Sequence, residues 1–191
     1  WTWLRLAVSG GADAQLSTAA YTSKIRSALL QTVMTDSGDG VEVILVDDAS
    51  PDGSAALAQT LLPQARVIRE PLNRGVSAAR NRLLDAATGE YLWFIDPDDL
   101  VEPGVIPRLK ALLDEHRPDL LTCNFRVFDD GASTASVKPR HRHIASFDGP
   151  AGVVMEDVDQ RLRGFFVHGQ FHPWSKVVRR ACWPAGLRFP E

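Results

Sequence analysis

The chain has 191 residues, of which 45% are hydrophobic and 24% charged, as in an ordinary globular protein with one sizeable core. Its formal net charge of −3 argues against a general nucleic-acid-binding protein. No apolar run approaches the ~20 residues that a membrane-spanning helix needs, and no signal peptide is evident. The two cysteines, Cys123 and Cys182, are too few for a disulfide framework. We therefore expect a cytoplasmic protein, with the inner face of a membrane as the alternative location.

Short apolar runs alternate with helical patterns over the first 128 residues. Five runs have the length and composition of strands: Leu4–Ser9, Val41–Val46, Ala65–Arg69, Tyr91–Asp96 and Asp119–Phe128. Between them, apolar residues recur at helical spacing in four segments: 21–33, 54–62, 75–87 and 103–113. This alternation predicts an α/β fold with a doubly wound, mostly parallel sheet flanked by helices.

The pattern changes after Phe128. Residues 129–150 are polar and include a basic cluster from Lys138 to His143, which is typical of a solvated loop and alternatively of a flap that faces phosphates. Residues 151–166 favour a helix, and residues 171–180 mix aromatic and basic side chains. We therefore divide the chain into an α/β region, 1–128, and a loop with a further partial segment, 129–191.

The central predicted strand leads directly into a cluster of carboxylates. Pro97 cannot donate a ladder hydrogen bond, so the strand should end at Asp96 and leave Asp98 and Asp99 in a loop. No lysine or arginine lies between residues 83 and 107 to offset their repulsion, which is about 4 kcal/mol for two carboxylates 4 Å apart at an effective dielectric of 20. Oxygen-only ligands favour Mg²⁺ or Mn²⁺. The simpler interpretation is a solvated acidic turn that caps the next helix.

A second acidic strand end and a basic segment accompany this cluster. The strand 41–46 ends in Asp47 and Asp48, and ligands of doubly wound sheets bind outside the carboxyl ends of the strands. Five arginines, opposed only by one glutamate, lie between residues 64 and 82: Arg66, Arg69, Arg74, Arg80 and Arg82. A nucleoside diphosphate would suit this pattern, because a cation bridges its phosphates and arginines neutralise the remaining charge.

Four motifs resemble, in sequence order, the nucleotide-binding signature of family 2 glycosyltransferases with the GT-A fold: Val46–Ser54, Asn73–Asn81, Gly89–Tyr91 and Asp96–Asp99. Outside them, Ser27–Thr32 resembles the end of the family's first helix. Trp174–Arg180, together with Gly186–Glu191, resembles a later segment on the acceptor side.

The resemblance implies a role for each matching residue. The nucleotide-binding residues would be Asp48 at the base, Asp96 at the ribose side, Arg80 near the base or the phosphates, and Ser9. Ser9 begins the sequence Ser9-Gly10-Gly11, where the family has a Pro-containing, Tyr-Asn-like segment, so base recognition is expected to differ. Asp98, with Asp96 and support from Asp99, would bind Mn²⁺ or Mg²⁺. Trp174 and Lys176 would border the acceptor.

The implied reaction is the transfer of a sugar from a nucleotide-diphosphate sugar to a glycan or another hydroxyl acceptor, with inversion at the anomeric carbon. The cation would act as a Lewis acid on the departing nucleoside diphosphate. A carboxylate base is needed within hydrogen-bond reach of the hydroxyl, and the family's Glu-Asp pair is expected beyond Glu191. The pair Glu156-Asp157 precedes that position and is interpreted as a helix surface.

Three other classes share part of this pattern. A response-regulator receiver has two acidic strand ends at a similar spacing to Asp47 and Asp96, but needs a later strand-end lysine, and Lys138 lies in a polar segment. A haloacid-dehalogenase-like phosphatase would use Asp96 and Asp98, although its motif normally opens the chain. A non-catalytic nucleotide-sugar-binding module would carry the same motifs without transfer.

Overall fold

The structure is a computed structural model that describes residues 4–7, 16–21, 32–33, 36–51, 53–96, 99–127, 142–167 and 169–191. Its strands are β1 (Leu4–Ala7), β2 (Leu16–Tyr21), β3 (Val41–Asp47), β4 (Arg66–Arg69), β5 (Tyr91–Phe94), β6 (Leu120–Thr122), β7 (Phe125–Val127), β8 (Arg142–Ile144) and β9 (Lys176–Arg179). Its helices are α1 (Ser54–Leu61), α2 (Gly75–Ala86), α3 (Val105–His116) and α4 (Val158–Phe166), with 3-10 turns at Pro173–Ser175 and Arg180–Cys182. None of the described helices is long and apolar enough to cross a membrane.

The main sheet has the strand order β4-β3-β2-β5-β9-β6, and β1 pairs with β2. The pairs β4–β3, β3–β2 and β2–β5 are parallel, whereas β5–β9, β9–β6 and β1–β2 are antiparallel. The α/β fold is thus confirmed, but a mostly parallel sheet is correct only for the half from β4 to β5. The other half differs because β9 follows a polar region and α4 rather than a crossover helix that would return it parallel to its neighbour.

The strand beside β3 and β5 is β2, which the sequence analysis did not predict. The predicted first strand is present as β1, but β1 pairs antiparallel with β2 and lies outside the parallel set. Tyr21, predicted as the start of a helix, is the last residue of β2. The sequence of β2, Leu-Ser-Thr-Ala-Ala-Tyr, has one large aliphatic side chain and no Val, Ile or Phe, so its own pattern does not predict the strand that pairs with β3 and β5.

The predicted strand 119–128 is divided between two sheets. β6 pairs with β9 in the main sheet, and β7 pairs with β8 in a separate two-stranded sheet. The chain changes direction at Cys123 and Asn124, where the Asn124 side-chain oxygen accepts a hydrogen bond from the Ser146 N–H (3.2 Å). Part of the region expected to be a solvated loop therefore forms β8, while residues 128–141 lie outside the described part of the chain.

Both faces of β3 and β5 are buried, because alternate side chains of each strand enter different clusters. One cluster packs with α1 and α3 and includes Val43, Leu45, Leu62, Tyr91, Trp93, Ile106 and Leu113. The other packs with α2 and includes Ile44, Val46, Ala79, Leu83, Leu92 and Phe94. The apolar pattern of these strands stops at buried carboxylates: Asp47 is the last residue of β3, Asp48 follows it, and Asp96 follows β5. The carboxyl edge of the parallel strands is therefore the acidic edge of the molecule's core.

Candidate functional site

Asp48 follows β3 directly and is only 1% exposed. Its two carboxylate oxygens accept hydrogen bonds from the Arg74 N–H (2.9 and 3.0 Å) and from the Gly75 N–H (2.7 Å). These N–H groups begin α2, whose N-cap residue, Arg74, provides no side-chain cap of its own. Asp48 therefore caps α2 from 26 residues away, and its negative charge suits the positive end of the helix dipole.

Asp96 lies at the corresponding end of β5 and is 2% exposed. The Asp99 N–H donates to the Asp96 carbonyl oxygen (3.0 Å). The predicted end of this strand is close to the observed one, since the ladder stops at Phe94, and Ile95 and Asp96 are both buried. Asp98 lies outside the described residues, as does Ser9.

Arg80 projects from α2 toward Asp96. Its Nη2 lies 3.9 Å from Asp96 Oδ1, and the two side chains are only 15% and 3% exposed. The guanidinium also lies over the ring of Phe189, 5.3 Å from its centroid. Burial lowers the pKa of Arg80, and the neighbouring Asp96 carboxylate opposes that shift. Arginine nevertheless stays protonated in proteins, so the acidic edge holds a buried positive charge.

The other arginines of the basic segment do not form a common phosphate-binding surface with Arg80. Three of them bind elsewhere: Arg66 Nη1 donates to the Ala86 carbonyl at the end of α2 (3.3 Å), Arg74 Nη2 contacts Glu191 (2.8 Å), and Arg82 Nε contacts Glu70 (3.0 Å). The first of these stabilises a helix C-terminus, and the other two are ion pairs at the surface, which contribute little. These three residues therefore do not continue the expected positive segment, whereas Arg80 faces a strand-end carboxylate.

The ligand atoms available at the acidic edge are of the type that binds divalent cations. Asp96 and Asp99 supply carboxylate oxygens, the ligands that Mg²⁺ and Mn²⁺ prefer. Within the described ranges, no group of three or more His, Cys, Asp or Glu side chains is arranged to hold a metal ion. Asp98, which the sequence analysis assigns as a ligand, falls outside those ranges, so its part in a metal site remains a prediction.

Trp174 lies beside the end of β5 that carries Asp96. β9 pairs antiparallel with β5, Trp93 opposite Val177, and the Trp93 indole N–H donates to the Trp174 carbonyl (2.7 Å). The Trp174 ring stacks on His172 with 4.1 Å between centroids and an interplanar angle of 15°. Phe125 makes an edge contact with the Trp174 ring, 6.4 Å between centroids. The predicted acceptor-side residue thus belongs to an aromatic cluster at the same edge of the sheet as the acids.

Lys176 uses its ammonium group inside the protein. Its Nζ donates to Ser175 Oγ (2.6 Å), to Ser146 Oγ (3.2 Å) and to the Gln170 carbonyl. Burial lowers the pKa of Lys176 to about 8, while the nearby Cys123 opposes the shift. Lys176 therefore ties β9 to two neighbouring loops, a role that the sequence alone did not indicate.

Two residues of the site were given no functional role by the sequence, and a solvent-facing position was the simple interpretation of Asn81. Asn81, in the middle of α2, is 8% exposed, and its amide pairs with the backbone of Phe189 in both directions. Phe189 packs edge-on against Phe94, with 5.6 Å between ring centroids. A buried asparagine in a helix needs a partner for its amide, and that requirement was the available signal.

Comparison with known proteins places the chain in a family. Residues 23–187 match the family model described as Glycosyl transferase family 2. EpsH of Bacillus subtilis (strain 168) is 31% identical over 176 residues, which cover 84% of this chain and 45% of EpsH. The minor teichoic acid biosynthesis protein GgaB of the same organism is 36% identical over 102 residues, 52% of this chain and 11% of GgaB.

Solved structures share the fold. The crystal structure of S. aureus TarS 1-349 superposes with a TM-score of 0.62 and 24% identity, over 84% of this chain and 45% of that chain. The same protein in complex with UDP gives a TM-score of 0.56 and 20% identity, over 81% of this chain and 43% of that one. The chain thus spans about half the length of EpsH and of TarS 1-349. Because the family model covers most of its residues, the chain belongs to glycosyl transferase family 2 and has the GT-A fold.

Proposed function

We propose that this chain forms the donor-binding part of a metal-dependent, inverting glycosyltransferase that moves a hexose-type sugar from a nucleotide-diphosphate sugar to a hydroxyl acceptor. The observation that carries the proposal is the position of α2. The helix begins at the N–H groups held by Asp48 and, within two turns, directs Arg80 to Asp96. One helix therefore links two buried carboxylates at the edge where ligands of such sheets bind.

The nucleotide lies along this edge. Asp48 contacts the base through its carboxylate. Because Asp48 already occupies the first N–H groups of α2, the diphosphate is not bound at that helix terminus. Arg80 supplies positive charge to the diphosphate instead, and Asp96 contacts the ribose. Ser9 borders the base in this proposal.

Asp98 and Asp96 would hold Mn²⁺ or Mg²⁺ at the diphosphate. When bound, the ion supplies Lewis-acid stabilisation of the departing nucleoside diphosphate. Arg80 adds a fixed charge from the chain itself in a setting with little water, where electrostatic stabilisation is stronger than in bulk solvent. Inversion follows from attack by the acceptor hydroxyl on the face opposite the leaving group.

The acceptor lies beside Trp174, whose aromatic cluster flanks the end of β5. Lys176 supports this region by holding Ser146 and the Gln170 carbonyl against β9. We assign the catalytic base to none of the described residues. Asp157, for example, is exposed and accepts the Gln160 N–H (2.8 Å) as the N-cap of α4, in line with a helix-surface role for the Glu156-Asp157 pair.

The proposal is tested by calorimetric titration of UDP and other nucleoside diphosphates, with Mn²⁺ and with EDTA. We expect Mn²⁺ to tighten binding at least about tenfold, which corresponds to roughly 1.4 kcal/mol. Asp98→Asn should lose this metal dependence, whereas Asp159→Asn, an exposed carboxylate in the first turn of α4, is the matched control and should keep it. Absence of binding by every nucleoside diphosphate would refute the donor-binding function. Binding without release of nucleoside diphosphate from any sugar donor would favour a non-catalytic module.

A further inference from the structure

The ring of Phe189 lies between α2 and β5, next to the proposed diphosphate site. One side faces the Arg80 guanidinium, 5.3 Å from the ring centroid. Another meets Phe94 edge-on at 5.6 Å, and Phe94 precedes Asp96 by two residues on the same strand. Phe189 therefore contacts both the strand that carries Asp96 and the cation that faces Asp96.

Asn81 fixes the backbone of Phe189. The Asn81 amide nitrogen donates to the Phe189 carbonyl (3.0 Å), and the Phe189 N–H donates to the Asn81 amide oxygen (2.8 Å). Asn81 also donates to Glu191 Oε1 (3.1 Å). Two reciprocal hydrogen bonds to one residue define its position and orientation more firmly than either bond alone. Because Asn81 is adjacent to Arg80 on α2, the same helical turn holds the ring and carries the cation.

The Arg80–Asp96 ion pair is too long to fix the orientation of the guanidinium by itself, so the Phe189 ring can contribute. At 3.9 Å, the ion pair is longer than the 2.7–2.9 Å typical of a charge-assisted hydrogen bond. A guanidinium within about 6 Å of an aromatic centroid is attracted to the ring face, and this attraction increases when the group is desolvated, as Arg80 is. The ring face and the carboxylate together define the direction of the guanidinium.

We propose that Phe189, held by Asn81, is a positioning residue that orients the Arg80 guanidinium for the nucleoside diphosphate. This inference rests on the proposed function of the site. Phe189 itself does not touch the nucleotide; it acts by limiting the orientations that the long Arg80 side chain can adopt, so that less freedom is lost when the diphosphate binds.

The first experiment compares variants in UDP binding with Mn²⁺ by calorimetry. Phe189→Leu, which removes the ring face but keeps an apolar side chain, should weaken UDP binding roughly threefold to thirtyfold. Phe189→Tyr should keep the UDP affinity within about twofold of the wild-type value, because it keeps the ring. Trp183→Leu is the matched control, since Trp183 packs on Phe94 and Phe189 at 6.0 and 5.7 Å; it should lower the melting temperature and leave UDP affinity unchanged.

A double-mutant cycle tests whether Phe189 affects UDP affinity through Arg80. In an Arg80→Ala background, Phe189→Leu should cause no further loss of UDP affinity, because the ring acts only through the guanidinium. Additive losses, or an unchanged affinity in a folded Phe189→Leu variant, would overturn the proposal. An equal loss of affinity in Trp183→Leu would also overturn it, because the effect would then follow general destabilisation.

An NMR measurement tests the positioning without any nucleotide. The Arg80 Nε–H resonance should carry a ring-current shift that disappears in Phe189→Leu and in Asn81→Ala and persists in Phe189→Tyr. If the Arg80 Nε–H resonance is unchanged in both Phe189→Leu and Asn81→Ala, the positioning role is refuted even if UDP binds. If UDP fails to bind the wild-type chain while the ring-current shift is present, the proposed function fails and the contact between Phe189 and Arg80 stands.

Discussion

Both the start of α2 and the proposed nucleotide site depend on the Asp48 side chain. Asp48→Ala removes the acceptor of the Arg74 and Gly75 N–H groups at the start of α2. α2 has no local side-chain cap to replace it, and the bonds that Asp48 accepts are partly buried. The substitution therefore leaves two partly buried N–H groups without their acceptor or forces the first turn of α2 to unwind.

The expected cost follows from these contacts. A hydrogen bond to a charged group contributes about 1.5–3 kcal/mol, and two donors lose their acceptor. The interaction of a carboxylate with the dipole at a helix N-terminus contributes about 0.3–1 kcal/mol more, and part of this is already included in the energy of the two hydrogen bonds. We expect Asp48→Ala to lower the free energy of unfolding by about 3–5 kcal/mol, a large share of the 5–15 kcal/mol typical of a domain. Asp48→Asn keeps one oxygen and should cost roughly 2 kcal/mol.

Urea unfolding followed by circular dichroism measures this cost, and hydrogen exchange of the Arg74 and Gly75 amides locates it. Asp47→Ala is the matched control, because Asp47 ends the same strand and accepts the Ser50 N–H (2.9 Å) within a local turn. Its cost should be about 1 kcal/mol. If Asp48→Ala costs no more than Asp47→Ala, or if the two amides exchange as slowly as in the wild type, long-range capping by Asp48 is wrong.

The same variants separate the two roles of Asp48. Since Asp48→Asn should remain folded, any loss of nucleoside diphosphate affinity in that variant reflects the lost carboxylate rather than an unwound α2. Its affinity for free Mn²⁺ should hardly change, because the metal is assigned to Asp98 and Asp96. Equal losses of nucleotide and Mn²⁺ affinity would place Asp48 in the metal site instead.

Three further predictions concern the scaffold. Gly75→Ala should destabilise by about 1–2 kcal/mol because Gly75 has a φ of +87°, whereas Gly38→Ala, at a position without a positive φ and with equally open space, should cost less in the same urea assay. Trp93→Phe should cost about 1–3 kcal/mol, measured by urea unfolding, because the Trp174 carbonyl loses its indole donor. The folded-state pKa of Lys176, about 8, is below its ordinary value of 10.5, so the unfolded chain binds more protons between these values and wild-type stability should rise with pH from about 8 to 10.5 relative to Lys176→Met. A stability difference between these two proteins that stays constant over that range would contradict the burial of the Lys176 ammonium.

The sequence predicted the elements whose pattern is local. β3 and β5 are apolar runs ended by acids, and α2 and α3 have clear helical spacing, so each was found with the correct type. β2 was missed because its small and polar residues become a strand only between two partners. The antiparallel half of the sheet was missed for a related reason, since the direction of β9 depends on pairing with β5, whose Trp93 lies opposite Val177. Pairing of this kind leaves no periodic signal.

The candidate site divides in the same way. Asp48, Arg80 and Asp96 were recognisable by motif, and the structure brings all three to α2 and its edge of the sheet. The partners of the other arginines were not predictable, because Arg74 meets a carboxylate 117 residues away and Arg66 meets a helix end 20 residues away. Charge clustering in the sequence therefore overstated the positive surface, since Arg74 and Arg82 are each paired with a carboxylate and Arg66 is directed to a helix end.

Arg80 is the residue that fold stability alone does not explain. Its side chain is 15% exposed on a helix whose other buried positions are apolar apart from Asn81, and burial lowers the pKa of the guanidinium, which means that the folded protein disfavours its charged form. Buried ion pairs are often replaceable by apolar side chains of similar volume without loss of stability, because their attraction barely exceeds the cost of desolvation. A charge retained under these conditions, next to a strand-end carboxylate and against an aromatic ring, is expected where a ligand of opposite charge binds. The position of Arg80 is therefore best understood through the diphosphate that it is proposed to meet, while Asp48 at the start of the same helix maintains the geometry that brings it there.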